Sequence, residues 1–84
     1  MLFEIYTPEQ KLFEGQVECI TFPGTKGSFQ VLNNHAPLIS TLNNGIVKYH
    51  DKKSKWQTHI KGGVVEVLNN KVTLLADGIV KEET

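Results

Sequence analysis

Turn-forming residues interrupt this chain roughly every six to twelve positions, and no window of about 12 residues between them sustains a 3.6-residue apolar period. Helices of ordinary length are therefore not expected. What remains between the interruptions is short and alternating. Phe3 and Ile5 alternate with Leu2, Glu4 and Tyr6 up to Pro8, and Ile20 and Phe22 alternate with Val17, Cys19 and Thr21. Trp56, Thr58 and Ile60 oppose Gln57 and His59, and Val65/Val67 and Val72/Leu74 flank Asn69-Asn70. A period of two with this spacing predicts an all-β fold, a two-sheet β-sandwich or flattened barrel of eight to ten short strands.

The punctuation is densest between Phe22 and Leu38, which holds two of the three prolines and two of the seven glycines. Gly24 and Gly27 bracket Thr25-Lys26, so a tight turn with positive φ is expected there. Phe29, Val31 and Leu38 read as inward-facing. Asn69-Asn70 reads as a two-residue hairpin turn placing Val65/Val67 against Val72/Leu74 on one buried face. Asn43-Asn44-Gly45 before Ile46 carries the same hairpin signal. Gly15 is expected to mark a bulge or kink. Leu-Asn-Asn recurs at Leu32, Leu42 and Leu68 without a common flanking pattern, which is repeated turn chemistry and not an internal repeat.

Eighty-four residues fit one domain, here 1–77 followed by a short charged tail over 78–84. At 9.4 kDa, folding buries only about 63% of the extended chain's surface. A partner that covers an apolar face would add to so thin a margin. Nine basic and nine acidic residues cancel, which argues against a phosphate-backbone binder. The one basic run, from Lys48 to Lys55, reads as a solvated hairpin tip. Only seven aromatics exist, and Phe3, Phe22, Phe29 and Trp56 are expected in the core, which leaves little for nucleobase stacking. The single cysteine excludes an intramolecular disulfide and fits a reducing compartment. No apolar stretch approaches the ~20 residues of a membrane-spanning helix.

Reaction chemistry finds little footing. His35, His50 and His59 lack the paired ligand spacing of a structural zinc site, so no metal is expected. Cys19 reads as a small core residue in mid-strand and not as a nucleophile. Gly24-Thr25-Lys26-Gly27-Ser28 lacks the spacing and the following helix of a phosphate loop. Lys71, just after a tight turn, occupies the kind of place where lipoyl and biotinyl carrier domains bear their modified lysine. That carrier reading is the alternative function, although Asn69-Asn70 and Val72 stand where carriers have characteristic acidic or methionine neighbours.

Glu4-Ile5-Tyr6-Thr7-Pro8, Leu12-Phe13-Glu14-Gly15, Val17 to Gly24 and Gly27 to Leu32 are followed in order by Asn34-His35-Ala36-Pro37-Leu38, Gly62 to Val67 and Asn70 to Asp77. This series resembles the N-terminal β-sandwich domain of the epsilon subunit of bacterial F-type ATP synthases (delta in mitochondria). The resemblance implies a non-catalytic central-stalk rotor component without a cofactor. It would pack on the gamma subunit, rest on the c-ring and reach the alpha/beta subunits indirectly. Its place would be peripheral, at the cytoplasmic face of the bacterial inner membrane, where it helps couple proton transport to ATP synthesis. Carried over by position, Lys26, Gly27, Ser28 and Phe29 resemble the c-ring side, and His35, Leu38 and Ser40 the gamma side. The family often has an acidic residue at Ser28, Gly at Gln30 and Pro at Asn33, so the contact surface here is similar in backbone and altered in charge. The familiar subunit continues into a helical pair, whereas this sequence stops at Thr84. Either a naturally short form, which the plain Met1 start favours, or a truncated chain is expected, in both cases without that pair's inhibitory or ATP-sensing roles.

Overall fold

The alternating segments become nine strands in a computed structural model that describes residues 1–81. They are β1 (Leu2–Tyr6), β2 (Lys11–Gln16), β3 (Cys19–Gly24), β4 (Gly27–Leu32), β5 (Leu38–Leu42), β6 (Gly45–His50), β7 (Lys55–Ile60), β8 (Gly63–Leu68) and β9 (Lys71–Ala76). One layer runs β2-β1-β9-β8-β5 and the other β4-β3-β6-β7; a single residue pair, Gly24 with Leu42, joins them. Every pairing is antiparallel except β1 with β9, which is parallel. The β-sandwich expectation holds. Among the described residues no helix is long and apolar enough to cross a membrane. Gly78 and Val80 remain tied to the second layer, where the Gly78 carbonyl accepts from Lys61 N–H and Val80 N–H donates to His59 O. Of the expected charged tail, residues 82–84 lie outside the described residues.

Period two decides what is inside. Phe3, Ile5, Val65, Val67, Val72 and Leu74 point inward from the first layer, and Ile20, Phe22, Val31, Val47 and Ile60 from the second. An aromatic seam runs between the layers. Phe3 meets Phe22 edge-on at 6.0 Å and Tyr49 at 5.0 Å, and Phe13 meets Tyr49 at 4.9 Å and Trp56 at 5.4 Å. Phe29 extends the seam, 5.5 Å from Phe22. Edge-to-face contacts of this kind add to the area they bury. The Tyr49 hydroxyl lies 2.9 Å from Thr58 Oγ1, so its polar end is satisfied.

The Asn69-Asn70 turn forms as the sequence predicts. Both residues have left-handed φ (51° and 58°), Val65 faces Leu74 and Val67 faces Val72. Two other turn expectations need correction. Asn43-Asn44-Gly45 does not close a hairpin: β5 pairs with β8 and touches β3, while β6 pairs with β3 and β7. The segment carries the chain from one layer to the other, held by Asn43 N–H donating to Pro23 O at 2.8 Å. A Cβ on Gly45 would stand 2.8 Å from that of Pro23, so close packing explains the glycine. The bulge in β2 falls at Leu12 and not at Gly15, because Ile5 pairs with Phe13 and Tyr6 with Lys11. Gly15 is instead a normal ladder residue opposite Phe3, with the Phe13 ring 3.1 Å from where its Cβ would be.

Glu4 is the one buried charged residue among those described, on the outer side of β1. Its carboxylate meets Lys11 Nζ at 2.9 Å and Lys71 Nζ at 3.0 Å and accepts from the Tyr6 hydroxyl at 2.8 Å. Lys11 also bonds Glu14. These partners, Lys11 first and then Lys71 and Tyr6, lower the Glu4 pKa from 4.5 to about 2.

Two outcomes test this packing. Phe3→Ala should cost about 3–5 kcal/mol in urea unfolding; a loss below about 1 kcal/mol would mean that the seam does not hold the layers together. Because the folded Glu4 pKa is depressed, its stabilisation is complete above 4.5 and is lost as pH falls towards about 2. Glu4→Gln should therefore flatten the acid limb of stability against pH in that window, and an unchanged slope would contradict the network.

Candidate functional site

The turn that the sequence singles out is a two-residue hairpin loop between β3 and β4. Gly24 pairs with Gly27, leaving Thr25 and Lys26 at the tip. The two glycines act differently. Gly27 has φ of 125°, which side-chain-bearing residues rarely adopt, and it faces open space. Gly24 has no positive φ, contrary to expectation; it is buried because a Cβ there would lie 2.5 Å from Gly27 O and 2.8 Å from the Phe29 ring. A second contact holds the tip against β5: Thr25 N–H donates to Thr41 O at 3.2 Å, and the two threonine hydroxyls lie 2.8 Å apart.

Between the tip and β5 lies an open groove of about 570 Å³, lined by Gly24 to Phe29 on one wall and Leu38 to Thr41 on the other. The fold thus brings Lys26, Gly27, Ser28 and Phe29 together with Leu38 and Ser40. Lys26 and Ser28 are exposed, while Phe29 packs part of its ring on the core. His35 is not in this groove. It follows β4 at the far end of the hairpin, where its N–H donates to Leu32 O at 3.1 Å and its Nδ1 lies 2.7 Å from Ala36 O. Asn34, in a left-handed conformation beside it, donates its N–H to Asn70 Oδ1 at 2.8 Å.

The sequence reading missed the residues that face outward from β5. Leu38 and Ser40 lie half-buried on the inner side, whereas Ile39 is 71% exposed. The outer rows across the first layer read Thr41–Val64–Leu75–Tyr6 and Ile39–Glu66–Thr73–Glu4. With Leu75 at 55% exposure and Leu68 and Val64 also exposed, this face carries an uncovered apolar band. Strict alternation places Ile39 opposite Leu38, but only the pairing of β5 with β8 shows which of the two is covered.

Elsewhere the chemistry-bearing residues stand apart. Among the described residues no three His, Cys, Asp or Glu side chains gather to hold a metal ion. Cys19 is half-buried and lines the outer groove of the second layer, which corrects its reading as a core residue: strand period two puts it opposite in face to Ile20. Lys71 sits directly after its turn, as predicted, with its ammonium paired to Glu4.

Comparison with known proteins accords with this architecture. Residues 1–82 match the model of the family described as ATP synthase, Delta/Epsilon chain, beta-sandwich domain. The ATP synthase epsilon chain of Pelotomaculum thermopropionicum is 42% identical over 80 residues, covering 95% of this chain and 60% of that protein. The epsilon chain of Rhodospirillum rubrum is 40% identical over 76 residues, covering 89% and 57%. This chain therefore spans less than two thirds of the relatives it matches. In solved structures, a chain of the Euglena gracilis mitochondrial ATP synthase superposes with a TM-score of 0.85 at 23% identity, covering 93% of this chain and 51% of that one. A chain of the Tetrahymena thermophila mitochondrial ATP synthase central stalk/c-ring structure gives 0.80 at 19% identity, covering 95% and 65%. The carrier-domain alternative finds no support among these likenesses.

The hairpin geometry separates shape from surface. Gly24→Ala should destabilise by about 1–3 kcal/mol, since the added methyl overlaps backbone and ring. Lys26→Glu, at the exposed tip, should change stability by less than about 0.5 kcal/mol. Thermal unfolding of both variants checks the pair; equal losses would show that the tip side chain is structural.

Proposed function

The chain belongs to the ATP synthase delta/epsilon β-sandwich family, and from that premise we propose that it is a non-catalytic rotor-stalk domain. It docks on the gamma subunit and on the c-ring, reaches the alpha/beta subunits indirectly, and helps couple proton transport to ATP synthesis. The family match across almost the whole chain carries this reading. In this proposal the domain is peripheral, held through the complex at the cytoplasmic face of the bacterial inner membrane.

The surface supplies two contacts suited to such a role. Ile39, Val64, Leu68 and Leu75 form the apolar face offered to gamma. Covering it contributes roughly 25 cal/mol per Å² before association costs. His35, Leu38 and Ser40 border that face, with Leu38 and Ser40 fixing the course of β5 from its inner side. The tip formed by Lys26, Gly27, Ser28 and Phe29 is offered to the ring. Its exposed part is polar and short, so it can rest on loops of identical subunits without a unique register.

Affinity capture from membranes with this chain as bait should recover gamma, c and the alpha/beta subunits. Recovery of the chain alone while assembled synthase is present would refute the proposal. An Ile39→Asp/Leu75→Asp variant should retain less than about a tenth of the gamma signal with its melting temperature nearly unchanged. Lys26→Glu should weaken c-ring recovery and leave gamma in place.

A further inference from the structure

The outer face of the second layer carries a groove of about 470 Å³ that the stalk contacts above do not use. Its basic side chains come from two strands in fixed register: His50 pairs with Cys19 and Lys55, and Lys48 pairs with Thr21 and Gln57. No carboxylate lines it. Lys48 and Lys55 are exposed and have no ion pair among the described residues, unlike Lys11 and Lys71 on the first layer. Lys52 and Lys53 extend the positive charge onto the β6–β7 tip. The nearby acid there, Asp51, is occupied: its Oδ1 accepts from the N–H groups of Lys53 and Ser54, both at 2.7 Å. Glu18 approaches from the chain before β3, its N–H donating to His50 O at 2.8 Å.

The spacing suits one kind of ligand. Lys48 and His50 are two apart on one strand, hence about 6.6 Å apart, the repeat of side chains on one face of an extended chain. Thr21 and Gln30 continue the Lys48 row across β3 and β4, and Gln57 continues it onto β7. All three can donate hydrogen bonds, and the partly exposed Trp56 also lines the groove. We propose that this face binds an extended acidic segment of a protein partner lying along β6, with alternate side chains over Lys48 and His50 and an Asp or Glu within reach of Lys55, which flanks His50 on β7. The choice of a protein over an anionic lipid rests on the stalk reading. Gly24 and the Thr25-Lys26 tip close one end of β3, whereas Cys19, His50 and the β6–β7 tip lie at the other, about 17 Å along the strand. A surface turned away from the ring is turned away from the bilayer. Surface charges of this kind govern association rate and salt dependence more than final affinity.

The test is an NMR titration of the isotope-labelled full chain with a synthetic peptide of alternating Glu and Ser, at about 50 mM and about 500 mM salt. Shifts should concentrate on the amides of residues 48–57 and at 19–21, and the higher salt should weaken binding at least tenfold. Lys48→Glu/Lys55→Glu should abolish the shifts, and the milder Lys48→Gln/Lys55→Gln should weaken binding about tenfold. Unchanged Trp56 fluorescence would establish that either variant is folded. Shifts spread equally over Lys26, Lys61 and Lys81, or binding unaffected by both variants, would overturn the proposal. So would tighter binding of anionic vesicles or of an oligonucleotide than of the peptide at these same residues. The titration contains no gamma and no ring, so its outcome is independent of the membrane capture, and either reading can fail while the other stands.

Discussion

Phe3 meets three other rings at once, and the two layers depend on that meeting. The one strand pair between the layers, Gly24 with Leu42, is flanked by backbone hydrogen bonds from Thr25 to Thr41 and from Asn43 to Pro23. Over the rest of the interior the layers meet by side-chain packing. From β1, Phe3 reaches Phe22 and Tyr49 across the sandwich and Phe13 beside it. Aromatic rings suit the place because each buries a large area with few rotatable bonds. The small size of the chain sharpens the dependence, since a domain of this length buries a modest share of its surface and has few alternative contacts to lean on.

The β3–β4 hairpin inherits its shape from this seam. Phe29 packs at a tilt against Phe22, the Phe29 ring excludes a side chain at Gly24, and Gly24 is the residue where a strand of the second layer pairs with one of the first. The backbone of the tip is thus set from beneath by packing, and from the side by the Thr25–Thr41 contact. Lys26 and Ser28, by contrast, project from this frame without contributing to it. That division means such a loop can keep one backbone shape while the charge of its exposed residues varies.

Strand number, the buried set and the Asn69-Asn70 turn were legible because each follows from local chemistry. Two consecutive Asn residues tolerate left-handed angles, and the valines and leucines on either side tell which face closes. Asn43-Asn44-Gly45 carries the same letters with a different outcome. There the deciding facts are the contact of Gly45 with Pro23 and the pairing of β5 with β8, both set by residues remote in sequence. The β2 bulge was misplaced for the same reason: Gly15 is conspicuous as a residue type, but Leu12 is the extra one once β1 supplies the register. At the candidate site the tip residues were readable from their glycines. Ile39 was not, because Leu38 and Ile39 are equally apolar and only the sheet assigns one inward and the other out.

The net charge of zero conceals a segregation that the fold creates. On the first layer Glu4 collects Lys11 and Lys71, and around these neutralised pairs lie Ile39, Val64, Leu68 and Leu75. On the second layer Lys48 and Lys55 stand over polar side chains without such partners. Strand alternation produces both faces from the same chain, since each strand that sends an aromatic or branched residue inward must send its neighbour out. The outward residues of the first layer include the apolar Ile39, Val64, Leu68 and Leu75 beside the exposed Glu66, which suits a largely dry contact; those of the second include Lys48 and Lys55 among polar side chains, which suits a salt-sensitive one. Because the aromatic seam lies between them, a partner seated on one face removes no residue that the other face needs.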